Sequence, residues 1–67
     1  MKLVINGVPQ VFDADIKTIR CVMRALLIAE KGRIVECNGV LIAPDKWKSH
    51  PVLPNDKIEI IQFMGGG

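Results

Sequence analysis

The chain has 67 residues, 49% of them hydrophobic and 24% charged. A folded chain of this size buries about 60% of its unfolded surface, enough for one small core, which excludes a second domain and leaves little room for an internal catalytic cleft. Nine basic residues stand against seven acidic ones, a net charge of +2. That is too mild for the basic stripe of a nucleic-acid binder.

Residues Lys2 to Ile5 read as a strand, with Leu3 and Ile5 on one face and Val4 on the other. No signal-peptide pattern precedes them, and the apolar stretch near Ala25 to Ala29 is far too short to cross a bilayer. The expectation is a cytoplasmic chain without a membrane partner. Asn6-Gly7 predicts a tight hairpin, because both residues tolerate positive φ. The chain returns through Gln10, Val11 and Phe12, and Pro9 places this strand at a sheet edge because proline donates no ladder hydrogen bond.

Asp15 is positioned to cap a helix. Ile16, Ile19, Met23, Leu26 and Leu27 recur at helical spacing within an arc of roughly 100°, which predicts one core-facing stripe. Gly32 is the expected terminator. Lys17, Arg20 and Arg24 form a basic stripe beside it, suited either to an acidic partner or to plain solvation. Cys21, Ala25 and Ile28 fall on a further, outward face.

Ile34 to Cys37 starts a second hairpin, turned at Asn38-Gly39 and returning through Val40 to Ile42. Pro44 to Ser49 predicts a single helical turn, with Trp47 as a lid over one end of the core whose N–H needs a partner. His50 has no Ser, Cys or Asp at a telling spacing. Pro54-Asn55-Asp56 reads as a turn. Asp56 and Glu59 are solvated acids or contacts to a basic partner. Lys57 to Phe63 is the last strand, Ile58 and Ile60 on one face, Ile61 and Phe63 on the other.

Cys21 and Cys37 stand sixteen apart, and there is one histidine, so no metal site of the usual ligand count is available. Cys37 is expected in the core and Cys21 nearer solvent. Two hairpins and one helix sharing a core predict an α+β fold: a mixed four- to five-stranded sheet with one main helix packed on one face. A last strand inserted between the hairpins makes this the β-grasp, ubiquitin-like arrangement. The domain is expected over residues 1–63, with 64–67 as a flexible glycine tail.

Gly65-Gly66-Gly67 does nothing for a core, because glycine has no side chain to bury and loses the most backbone entropy on ordering. Four extended residues from Met64 reach about 13 Å, enough to enter a narrow tunnel. A carboxylate on Gly67 is a poor electrophile until converted to an acyl-adenylate. The glycines open no helix and precede no Lys-Ser/Thr, so they are not a phosphate-binding loop and another protein must bind the ATP. The alternative is a mobile end without chemistry.

In order and spacing, Lys2-Leu3-Val4-Ile5-Asn6-Gly7, Val35-Glu36-Cys37-Asn38-Gly39, Trp47, Asn55-Asp56-Lys57-Ile58-Glu59-Ile60 and Phe63-Met64-Gly65-Gly66-Gly67 cover nearly the whole chain. On these stretches the chain resembles the ThiS family of sulfur carriers in thiamine biosynthesis. The resemblance implies a carrier rather than an enzyme. Gly67 would bear the adenylate and then the thiocarboxylate, and Gly66 would complete the diglycine motif. Gly65, Met64, Phe63 and Ile61 would contact partners. The implied partners are a ThiF-type adenylyltransferase that uses ATP, a ThiG-type thiazole synthase, and a sulfur donor such as a cysteine desulfurase. No cofactor would be stably bound, no metal held, and the chain alone would be a monomer. Alternatives on the same fold are a carrier for molybdopterin synthesis or tRNA thiolation, a docking module without a reactive end, or a protein modifier. The helix departs from the family pattern in carrying no acid before Glu30, and Arg33 stands where a β-branched residue is more usual.

Overall fold

The computed structural model describes residues 1–63; the expected tail, residues 64–67, lies outside them. Strands β1 (Lys2–Ile5) and β2 (Val8–Val11) form the first hairpin, and β3 (Arg33–Cys37) and β4 (Val40–Ile42) the second. Both turn on Asn-Gly with positive φ at each residue: 49° and 82° at Asn6-Gly7, 53° and 83° at Asn38-Gly39. That conformation matches the right-handed twist of the flanking strands. Strand β5 (Lys57–Gln62) lies between the hairpins, giving the order β2-β1-β5-β3-β4. It runs parallel to β1 and antiparallel to β3. This is the expected β-grasp sheet, five-stranded and mixed, with Pro9 on an edge strand.

Alternation decides which face is covered. Leu3, Ile5, Val35, Cys37, Ile58 and Ile60 point inward and are buried. The helix α1 (Ile19–Ala25) closes over them with Ile19, Val22 and Met23, all fully buried. Each such aliphatic side chain contributes about 1.5–3 kcal/mol through burial. Truncating Ile58 at the centre of the sheet to alanine removes about 2–5 kcal/mol. Trp47, after the 3-10 turn Pro44–Lys46, is 2% exposed and donates its Nε1–H to the Ile42 carbonyl at 2.9 Å. It is the lid that its position suggested.

The helix is shorter than its periodicity predicts. Asp15 does not cap it; Thr18 does, its hydroxyl accepting from the Cys21 N–H at 3.4 Å. The reason lies across the fold. Lys17 and Thr18 are held extended against His50 to Val52, with Val52 N–H donating to Lys17 O at 3.0 Å and Ile19 N–H to His50 O at 3.1 Å. At the other end Gly32 is not the terminator. The Ile28 N–H reaches Met23 O at 2.8 Å and the Leu27 N–H reaches Arg24 O at 3.1 Å, a Schellman closure. Its left-handed position, normally glycine, is Leu27 at φ 59°. Leu27 was expected in the core stripe and is 92% exposed. Ile16 and Leu26 still pack against the core, from outside the helix. Ile28 does so as well, so it does not belong to an outward patch with Cys21 and Ala25.

Candidate functional site

With the helix on one face, the other face of the sheet is open. The β3–β5 register sets Ile34 opposite Ile61 and Glu36 opposite Glu59. Leu41 on β4 stands opposite Glu36 on its other side. Their neighbours Val35, Cys37, Ile58 and Ile60 point inward, so these side chains point out. Ile61 is 48% exposed, Phe63 62% and Leu41 66%. An apolar strip thus runs along β5 toward the glycines. Beside it, Ile34, Leu41, Pro44 and Trp47 line a shallow groove of about 300 Å³. Ile61 and Phe63 lie on the face away from the helix, as their alternation with Ile58 and Ile60 predicted. The other site residues expected from sequence, Met64, Gly65, Gly66 and Gly67, fall outside the described residues.

The strand leading to those residues is fixed from both sides. On the β3 side, Phe63 N–H donates to Gly32 O at 2.6 Å, so pairing continues to the last described residue. On the β1 side, backbone bonding runs from Val4 N–H to Asp56 O and from Asn6 N–H to Ile58 O, both 2.9 Å. There β1 turns away. The Asn6 side chain takes over, accepting from Ile60 N–H at 2.7 Å and donating to Ile60 O at 3.1 Å. Sequence reasoning assigned Asn6 only to the turn. No local pattern marks a partner 54 residues away.

Asp56 is half-buried and already bonded within the chain. Its carboxylate accepts from Leu53 N–H at 2.8 Å and Asn38 Nδ2 at 2.9 Å, and the Cys37 thiol lies 3.7 Å away. Asn38 in turn accepts from Lys57 N–H at 2.9 Å. This network ties the second hairpin to the start of β5. Burial, and then the neighbouring Asp56 charge, push the Cys37 thiol pKa up. The Cys21 thiol, half-exposed, is pulled below the ordinary range, chiefly by a hydrogen bond from the Thr18 hydroxyl at 3.2 Å.

The expected basic stripe does not form. Lys17 precedes the helix, and Arg20 makes a two-pronged pair with Glu30 at 2.8 and 3.1 Å. Among the described residues no polar or charged side chain is buried, no group of three His, Cys, Asp or Glu side chains is placed to hold a metal ion, and no helix is long and apolar enough to cross a membrane. What the described residues offer is an exposed apolar strip, on a strand that stays hydrogen-bonded to its last described residue.

The chain is similar to known proteins along its length. The ThiS family profile matches residues 4–67. The crystal structure of a thiamine biosynthesis protein (ThiS) from Geobacter metallireducens superposes with a TM-score of 0.86 at 30% identity, covering all of both chains. A solution structure of a thiamine biosynthesis protein from the same organism gives 0.79 at 30% identity, covering all of this chain and 88% of that one. A thiazole synthase of Paramagnetospirillum magneticum (strain ATCC 700264 / AMB-1) is 34% identical over all 67 residues, which span 20% of its length.

Proposed function

The chain belongs to the ThiS family, and from that membership we propose that it is a sulfur carrier for thiamine biosynthesis, with the carboxylate of Gly67 as the reacting group. The observation that carries this reading is the full-length match to a ThiS crystal structure at a TM-score of 0.86, in a sequence whose last three residues are glycine.

The chemistry follows from what a carboxylate lacks. An ATP-binding partner brings the Gly67 carboxylate oxygen against the α-phosphorus, pyrophosphate leaves, and a mixed anhydride with AMP remains. A sulfur nucleophile then attacks the acyl carbon and AMP departs. A persulfide donor leaves an acyl disulfide at this point, and a thiol then attacks the donor-side sulfur, forming a disulfide with it and expelling the thiocarboxylate. The absence of Cβ atoms at Gly66 and Gly67 leaves both faces of the acyl carbon open to attack. The thiocarboxylate then gives its sulfur to the enzyme that builds the thiazole ring. Similarity to one fifth of a thiazole synthase supports that choice of acceptor, since a carrier-like segment within the same polypeptide shortens the transfer. Sulfur carried as a covalent thiocarboxylate is never released as free sulfide. The chain's own part is presentation: Ile61, Phe63, Met64 and Gly65 contact partners, while catalysis and ATP binding rest with them.

The test is intact mass with C-terminal fragmentation, after incubating the chain with host extract, ATP and cysteine. Exchange of one oxygen for sulfur, localised to Gly67, is the expected result. Localisation separates it from oxidation of Met64 or Cys21, which adds nearly the same mass. An unmodified Gly67, where a known carrier becomes labelled, overturns the reading.

A further inference from the structure

The open face carries an acidic rung with no ion-pair partner among the described residues. Glu36 and Glu59 stand directly opposite each other on β3 and β5. The ladder is bonded at Asn38 N–H to Lys57 O and at Phe63 N–H to Gly32 O. Alternation from either end makes Glu36–Glu59 and Ile34–Ile61 hydrogen-bonded rungs, with Cα atoms about 5.5 Å apart. Like charges so placed destabilise a sheet. Arg20–Glu30, on another face, is the ion pair found among the described residues. Lys57 shares the open face two positions from Glu59 but comes within ion-pair distance of neither glutamate. The nearest basic residue on β3, Arg33, has inward parity and donates to Ala29 O at 3.1 Å.

We propose that this face docks a protein surface presenting an arginine ringed by apolar side chains, the guanidinium seating across Glu36 and Glu59 while the apolar ring covers Ile34, Leu41, Ile61 and Phe63. The choice of partner rests on the carrier reading above: it is the ATP-using enzyme that must hold Gly67. Charge complementarity selects the occupant. Two carboxylates on one rung suit a planar guanidinium that donates to both, better than a point-charge ammonium. Their negative potential rejects nucleic acid and anionic lipid, and opposes a second copy laid face to face. An apolar surround dries the ion pair and strengthens it, as at the centre of an interface hot spot. The acidic rung and the apolar strip are thus one surface, with β5 aligned toward the glycines that the same partner receives.

The test compares the full chain with the double variant Glu36→Gln/Glu59→Gln, with Glu36→Lys, and with Asp45→Asn as control. Binding to the host's adenylating enzyme is measured by calorimetry without ATP, and adenylation by pyrophosphate release. The double variant is expected to melt at or above the wild-type temperature, yet to bind at least about tenfold more weakly, with KM raised in proportion and kcat unchanged. Its binding is also expected to lose most of the salt dependence of the wild type. Glu36→Lys pairs with Glu59 within the chain, so it is expected to raise stability while abolishing docking. Equal binding of wild type and double variant overturns the proposal, as does a wild-type dimer that the variants dissolve. Absence of wild-type binding overturns it too. Wild-type binding without adenylation overturns the carrier reading and leaves the docking assignment standing.

Discussion

The amide of Asn6 pairs with both backbone groups of Ile60, accepting at 2.7 Å and donating at 3.1 Å. It does the work of one more residue of β1 after the chain has already turned at Asn6-Gly7. One side chain thus sets the turn, with φ at 49°, and secures the strand that leads to the glycines.

Asn6→Gly keeps the turn, since glycine accepts positive φ, and removes both bonds. It leaves the Ile60 N–H and C=O partly buried without partners. The expected loss is about 1–3 kcal/mol, read from urea denaturation. The single tryptophan, Trp47, is buried at 2% exposure and gives the fluorescence signal. Asn6→Asp, which keeps the acceptor and loses the donor, is expected to fall between.

Leu27 sits in the left-handed position of the Schellman closure with 92% of its surface in water. A left-handed L-residue with a Cβ costs about 1–2 kcal/mol, and the exposed side chain recovers little of it. Leu27→Gly is therefore expected to stabilise the chain by about 1 kcal/mol, seen as a higher midpoint at unchanged m-value. A destabilised variant would show that Leu27 makes contacts its exposure does not reveal.

These two residues mark where the sequence could and could not be read. Both Asn-Gly hairpins, the inward set Leu3, Ile5, Ile58 and Ile60, and the outward pair Ile61 and Phe63 are local signals, set by positive φ or by a period of two. The helix boundaries were not local. Its start is imposed by His50 to Val52 pinning Lys17 and Thr18, and its end is hidden because leucine fills a glycine's place. Arg20 with Glu30, Asp56 with Asn38, and Asn6 with Ile60 each join segments that the chain order keeps apart. The glycines stand out in the sequence for the opposite reason: glycine has no side chain to bury and so no packing pattern to follow.

The two thiols are expected to separate by reactivity. With its pKa lowered by the Thr18 hydroxyl, Cys21 carries more thiolate at a given pH than in the unfolded chain. Its alkylation rate, followed by mass spectrometry, should inflect at lower pH when folded than in urea. Thr18→Val should shift that inflection upward and cost about 1 kcal/mol as a lost helix cap. Cys37 moves the other way. Its folded pKa lies above the unfolded value, so the unfolded state releases the proton first. Its contribution to stability is then complete below the unfolded thiol pKa and declines as pH rises through the folded one. Folded Cys37 should resist alkylation at neutral pH.

Removing Gly67 should separate presentation from folding. Among the described residues the hydrophobic core runs from Leu3 to Ile60, and β5 is fixed by Asn6 on one side and Gly32 on the other. Deleting Gly67, or adding one residue after it, changes none of these contacts. The melting temperature should stay within about 1 °C, since a change well below 0.5 kcal/mol is expected where no side chain is removed from the core. Adenylation should vanish, because the acyl carbon is displaced by one residue, about 3.5 Å, from where the partner's ATP is held. Docking through Ile61 and Phe63 should persist, so each variant should bind the partner and compete with the intact chain. A truncated chain that still accepts AMP would place the reacting carboxylate elsewhere, and one that unfolds would show that the glycine end supports the core.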